Sequence, residues 1–395
     1  MHLLFATSIV PGSSLGSGYE IATAAIIDSL RRNGARVTVL GYCWPGVAPA
    51  DPAQSIVLGE IDVRTEGASQ LRKAGWLMRA LTAGRTFASA KLTEAPPAQV
   101  REAIRRAGPF DAYVVNSVQI AGAYPDLFSN LPMIFVAHNV EHAAAGQSAA
   151  ASESGLQRIL YRREARLLRE HEARLCAQAR FVFTLAEEDR APLGVQSPER
   201  SAFLPLVTRA TPPSPPSKRA IDYDAALIGT WSWQPNRIGL DWFLHEVTPH
   251  LDPSLRIRIA GHVPQGIVIS HPGVVLAGRV DSAEAFVRAA AVVPLVSRAG
   301  SGVQLKTIET FEQGLPAVAT SSSLRGIGSL PVNCARADTA VDFAAALQRA
   351  VRDPPGDVDG RGFYHGQRAA LDAAVRAGLE HVGLKDDRIR MGVLA

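Results

Sequence analysis

Short apolar runs of strand length alternate with stretches of helical periodicity along the whole chain. His2–Ile9 is such a run and reads as a buried parallel strand. A glycine-rich turn over residues 11–18 follows, and residues 19–33 then place Ile21, Ala24, Ala25 and Leu30 at helical spacing before Gly34 closes the segment. Residues 37–41, 110–116, 133–137 and 181–185 are further strands, and 156–179 is a long arginine-rich helix with a leucine stripe. Ala186-Glu187-Glu188-Asp189 carries a helix-start signal. The rhythm then repeats: strand 225–229, loop 230–236, helix 238–244, strands 255–261, 274–280 and 291–296, a helix opening near Val303, and strand 317–320. Helices over 340–352 and 367–380 end the pattern. Strands alternating with helices predict an α/β chain of two Rossmann-like halves.

Residues 51–97 follow neither rhythm. Arg72, Lys73, Arg79, Arg85 and Lys91 are spaced around Leu71, Trp76, Leu77, Leu81 and Phe87. That suits an amphipathic helix pair, with either a solvated basic face or one that meets a membrane or an anionic acceptor.

At 395 residues the chain exceeds what one core organises, so two domains are expected. The clearest break is the proline-rich stretch 211–217, which favours extended structure and cannot build a core. It sets the expected boundaries: a domain over 1–208, a linker over 209–222, a second domain over 223–365, and a terminal segment over 366–395. A hydrophobic content of 47% with 20% charged residues is globular. The net charge of +4 suits anionic ligands or an anionic membrane surface, and no nucleic-acid-binding motif is present, so nucleic acid is not an expected partner. Cys43, Cys176 and Cys334 are scattered, in neither a metal-ligand nor a disulfide pattern, which predicts a reducing cytoplasm and no metal. No signal peptide and no bilayer-spanning run are seen, so any membrane contact is expected to be peripheral, at the inner face of the cytoplasmic membrane.

The densest chemistry lies in residues 293–320, a strand, a glycine turn at Gly300 and Gly302, a helix, a stop at Gly314-Leu315-Pro316, and a second strand. Glycines between a strand end and a helix start let backbone approach a ligand, and the helix mouth suits a phosphate; the same glycines also serve a tight turn in an α/β core. Lys306 lies in the first helical turn, where it can reach an anion, and Glu309 shares its face one turn deeper, where a carboxylate can hold a ribose diol. In the first half, Gly12, Gly16 and Gly18 make a Rossmann-like turn without the dinucleotide fingerprint. Strand 133–137 ends in His138-Asn139-Val140-Glu141-His142, and strand C-termini face the ligand side of such sheets, which places His138 to act.

Gly300-x-Gly302-x-x-x-Lys306-x-x-Glu309 followed by Gly314-x-Pro316-x-Val318-x-Thr320 resembles the nucleotide-sugar site of GT-B glycosyltransferases, in the large group like family 4. Gly229-x-x-x-x-x-Pro235-Asn236 is similar to the first loop of the second domain in one subgroup. The resemblance implies two Rossmann-like domains facing across a cleft, the donor nucleotide in the second, and final helices that return to the first. It implies that Gly300, Ser301, Gly302, Val303 and Gln304 cradle the diphosphate, with Gly229, Trp231 and Asn236 beside them. Arg279 and Val280 would sit against the base, Gly16 and Gly18 would reach the donor phosphates or acceptor, and His138 would contact the transferred sugar. Two positions depart from the family. Ser301 stands where many members carry a first glutamate, eight positions before Glu309, and Asn139 stands where aspartate commonly follows the histidine.

The expected activity is transfer of a sugar from a nucleotide-diphosphate sugar, UDP-sugar before GDP-sugar, to a glycan or lipid-linked glycan of a bacterial surface polysaccharide. No cofactor is expected beyond the donor itself. The helix mouth and Lys306 would stabilise the leaving diphosphate in place of a divalent metal. With retention, as the resemblance implies, the departing phosphate takes the acceptor proton; with inversion a base is needed, and Glu20, Glu141 and His142 are the candidates. The rivals are an epimerase or phosphorylase on the same fold and a non-catalytic nucleotide-binding partner subunit, the last suggested by Ser301.

Overall fold

The computed structural model describes residues 1–383 apart from Glu66, Glu153, Ser217 and Gln265, so the end of the expected terminal segment, 384–395, lies outside the described residues, as does the last residue of the proline-rich stretch. The chain divides into two compact units, Met1–Ala210 joined by the chain from Ala369, and Thr211–Arg368.

In the first unit the strands are β1 (His2–Ile9), β2 (Arg36–Cys43), β3 (Ser55–Glu60), β4 (Ala112–Asn116), β5 (Met133–Ala137), β6 (Phe181–Thr184) and β7 (Ser201–Phe203). They lie side by side in the order β3-β2-β1-β4-β5-β6-β7, every neighbouring pair parallel. The intervening helices are α1 (Gly18–Arg32), α2 (Gln70–Thr82), α3 (Phe87–Lys91), α4 (Pro97–Ala107), α5 (Val118–Ala123), α6 (Glu141–Ala151) and α7 (Gly155–Gln178). The apolar run of β1 is explained by burial on both faces: Leu3, Leu4 and Phe5 are wholly enclosed. Each such side chain contributes about 1.5–3 kcal/mol relative to exposure.

The second unit contains β8 (Tyr223–Ile228), α8 (Gln234–Trp242), β9 (Ile257–Ala260), β10 (Val274–Gly278), α9 (Ala283–Arg288), β11 (Ala290–Leu295), α10 (Leu305–Glu312), β12 (Ala317–Ala319), β13 (Cys334–Arg336), α11 (Ala340–Arg352) and the start of α12 (Gly360–His381). Its strand order is β10-β9-β8-β11-β12-β13, again all parallel. In both sheets the order reverses between the first strand and the one that follows the third, β1 against β4 and β8 against β11. Ligands of open α/β sheets bind outside the carboxyl ends of the strands at that reversal.

Two glycines set how closely the second sheet closes around its reversal. A Cβ on Gly239 of α8 would run into the carbonyl oxygen of Val296, and one on Gly261, where φ is +111°, into that of Gly229. α12 continues from the second unit into the first, where Asp372 accepts from Ser29 Oγ at 2.7 Å and pairs with Arg32.

Three expectations change. The signal at Ala186–Asp189 produces only a 3-10 turn, Glu187–Asp189, because Pro192 and the left-handed Gly194 follow. The 51–97 region holds β3 as well as its helices, so its first part joins the sheet. Lys91, read as part of a basic face, is buried; it donates to Val63 O at 2.8 Å and Thr65 Oγ1 at 2.7 Å, and lies over Trp76 and Phe87. Cys43, Cys176 and Cys334 are all buried and unpaired.

Candidate active site

At the reversal of the second sheet, the loop from β11 to α10 carries two left-handed glycines, Gly300 at φ +98° and Gly302 at +76°. A Cβ on Gly300 would stand 3.3 Å from Pro235 of α8. Gln304 precedes α10 without a side-chain cap, so the helix opens on backbone alone. Hydroxyls hold this loop from beneath: Ser297 N donates to Ser323 Oγ at 2.8 Å, Ser323 Oγ to Leu295 O at 2.7 Å, Thr307 Oγ1 to Ser323 O at 2.8 Å, and Thr320 Oγ1 to Ser297 O. Thr320 and Ser323 come from the turn that follows β12, so two loops are tied into one platform.

Lys306, in the first turn of α10, reaches back to α8. Its Nζ stands 3.3 Å from Asn236 Oδ1 and 5.5 Å over the ring of the buried Trp231. Trp231 is fixed by Nε1 donating to Ala260 O at 2.8 Å, and Asn236 by donating to Thr230 O at 3.1 Å. Burial pushes the Lys306 ammonium down to about 8, with the Glu309 carboxylate opposing. Arg279 and Val280 follow the edge strand β10, Arg279 exposed.

At the reversal of the first sheet, His138 follows β5. Its Nε2 donates to Asn116 Oδ1 at 2.7 Å, and its ring lies 4.7 Å from that of Tyr19. Asn116, the last residue of β4, donates in turn to Thr23 Oγ1 at 2.9 Å, Tyr19 Oη at 3.2 Å and Thr7 Oγ1 at 3.3 Å. Burial pushes the His138 imidazole down to about 4. The neutral Nε2–H tautomer is therefore the resting form, because Asn116 Oδ1 can only accept.

Residues 224–353 match the family described as glycosyl transferases group 1. The second unit thus carries the group 1 glycosyltransferase domain, and the chain as a whole has the GT-B fold. Solved structures share that fold across the chain. Sucrose-phosphate synthase from Thermosynechococcus elongatus is 14% identical over 99% of this chain and 98% of that one, with a TM-score of 0.59. TarM is 11% identical over 100% and 98%, at 0.58. Anabaena HepE, solved with UDP and glucose, is 13% identical over 100% and 99%, at 0.55. No curated protein matches the chain.

The other expected residues fall as follows. Gly300 to Gln304, Lys306 and Glu309 lie on one loop and helix, and Gly229, Trp231 and Asn236 lie on the strand end and helix beside them. Gly16 and Gly18 flank Ser17, which caps α1; the Ser17 hydroxyl donates to the buried Glu20 at 2.8 Å and accepts from its N–H at 3.3 Å. Glu141 and His142 open α6, and their backbone N–H groups donate to the buried Glu172 of α7 at 2.7 and 3.2 Å. His142 Nδ1 lies 2.6 Å from the same carboxylate. Burial pushes the Glu172 carboxyl up, against the hydrogen bonds from His142 and the two N–H groups.

Asn116, Tyr19 and Glu172 were not singled out by sequence. Asn116 alone left a signal, a polar residue ending an otherwise apolar strand at the carboxyl edge. Glu172 is one charge among many on α7, and only packing distinguishes it.

Proposed function

We propose that the transferase moves a sugar from a nucleoside diphosphate sugar, UDP-linked before GDP-linked, onto a hydroxyl of a glycan or lipid-linked glycan of a bacterial surface polysaccharide, without a metal and with retention. The observation that carries this reading is the mouth of α10: backbone opened by Gly300 and Gly302, an uncapped helix start, and Lys306 held over Trp231 beside Asn236. Peptide dipoles and an ammonium belong there to the same helix start, which suits charge building on a leaving diphosphate. Glu309 holds the ribose hydroxyls. HepE, of the same fold, was solved with UDP, which puts uridine nucleotides first among donors to test.

In the reaction the bond from the anomeric carbon to the phosphate oxygen breaks and one to the acceptor oxygen forms on the same face. The departing phosphate takes the acceptor proton. His138, neutral at ordinary pH, hydrogen-bonds the sugar rather than moving a proton. One observation favours inversion instead: His142 is held by Glu172 as a general base is held by its orienting carboxylate. The anomeric configuration of the product, read by proton coupling, separates the two.

The test is a thermal-shift and calorimetric screen of UDP, GDP, ADP and their sugar conjugates, with Glu309→Ala and Lys306→Ala beside the wild type. Ligand binding to the native state raises its melting temperature. One nucleoside diphosphate should stabilise the wild type and neither variant; no response to any nucleotide would overturn the donor reading.

A further inference from the structure

The α6–α7 hairpin of the first unit carries a groove that none of this chemistry uses. It encloses about 480 Å³ and is lined by Arg158, Arg162, Arg166 and Arg169 of α7, with Ala149 of α6 and Ala165 among its small residues. Spacings of four, four and three residues put the arginines on one helix face, in a row of about 16 Å at 1.5 Å per residue. Arg158 donates to Ser152 O at 2.8 Å. Among the described residues, Arg162, Arg166 and Arg169 meet no carboxylate and no hydrogen-bond acceptor.

Arg163, one position off the row, shows what a structural arginine does on this helix: it bonds Glu164 and the carbonyls of Ala80 and Arg85. Like charges one turn apart destabilise a helix, so the unpaired row works against the fold unless an anion completes it. The facing side of the groove is alanine and glycine, which leaves room for a phosphate between the helices.

The start of the same helix decides which anion. Leu156 and Ile159 are 68% and 64% exposed. A soluble phosphate has no use for bare aliphatic side chains, whereas a bilayer surface takes both parts at once. We propose that the α6–α7 hairpin seats the transferase on an anionic phospholipid bilayer, with headgroup phosphates in the arginine groove and Leu156 and Ile159 at the acyl boundary. The groove shares no residue with the α10 mouth, so it stands whether or not the donor reading does.

Vesicle sedimentation of the full chain tests it. Wild type should partition onto phosphatidylcholine vesicles containing phosphatidylglycerol and not onto phosphatidylcholine alone, with binding that falls as salt rises. Arg162→Gln with Arg166→Gln should weaken partitioning about 30-fold at an unchanged melting temperature. Leu156→Ser with Ile159→Ser should weaken it too, while the salt dependence stays. Equal binding to both vesicles, no binding to either, or full binding by the arginine variant would overturn the proposal. Calorimetric binding of soluble glycerophosphate without vesicle binding would assign the groove to a free phosphate and overturn it as well.

Discussion

Lys306 can be separated from the rest of the α10 mouth by pH. Burial holds its ammonium near 8, against an ordinary value of 10.5. About nine-tenths of it is charged at pH 7 and about one-tenth at pH 9. If the charged form receives the diphosphate, wild-type affinity for the nucleotide falls about tenfold over that range, since the phosphates themselves finish titrating near pH 6. Lys306→Met removes a hydrogen bond to a charged group, about 1.5–3 kcal/mol, or roughly 10- to 150-fold in affinity at pH 7. It should also abolish the slope, and Lys306→Arg should keep affinity with no slope. Stability must move the other way. The folded pKa lies below the unfolded one, so between about 8 and 10.5 the unfolded chain binds more protons, and wild type gains stability relative to the methionine variant as pH rises. Calorimetry and melting curves on the same samples read both. A wild-type affinity that is flat from pH 7 to 9, or a methionine variant that keeps full affinity, would remove Lys306 from the donor phosphates.

His138 gives a second titration. Its folded pKa of about 4 lies below the ordinary 6.5, so wild type should lose about 3 kcal/mol relative to His138→Gln as pH falls from 6.5 to 4, measured by denaturant unfolding. Two glycines should differ sharply on substitution by alanine: Gly261, with backbone in the way of a Cβ, should cost more than about 3 kcal/mol, and Gly300, whose Cβ meets only the Pro235 ring at 3.3 Å, about 1–2 kcal/mol of backbone strain. Paired melting curves decide, and equal losses would refute the close approach at Gly261.

The apolar runs revealed the sheets because a strand buried on two faces is apolar over most of its length, as β5 is throughout and as β1 and β4 are over Leu3–Ala6 and Ala112–Val115. The β11–α10 loop was legible for a similar reason: left-handed positions at 300 and 302 demand glycine, and a first-turn lysine is a local pattern. The elements that were missed are those whose periodicity is weak. α6 is alanine-rich, with a single buried residue among those described, and carries no stripe to read. β3 alternates imperfectly because it lies at a sheet edge. Lys91 was misread because its four-carbon stem can run through aromatic surroundings while its tip finds a carbonyl and a hydroxyl, which composition cannot distinguish from exposure.

The first unit also narrows the question of where the acceptor proton goes. His138 donates its Nε2–H to Asn116, and its burial keeps it neutral well above pH 4. An aspartate in place of Asn116 would favour the imidazolium; an amide does not. Glu20 is closed in a reciprocal cap with Ser17, whose own role is to start α1. Of the residues set out as bases, only His142 is oriented by a second carboxylate, and that carboxylate, Glu172, also satisfies the first N–H groups of α6. For inversion, the pair to test first is therefore His142 with Glu172. His142→Gln should leave α6 capped, since the backbone donors to Glu172 remain. A loss of turnover in that variant with nucleotide binding intact would mark His142 as the base, and undiminished turnover would leave Glu141 or the departing phosphate as the proton acceptor.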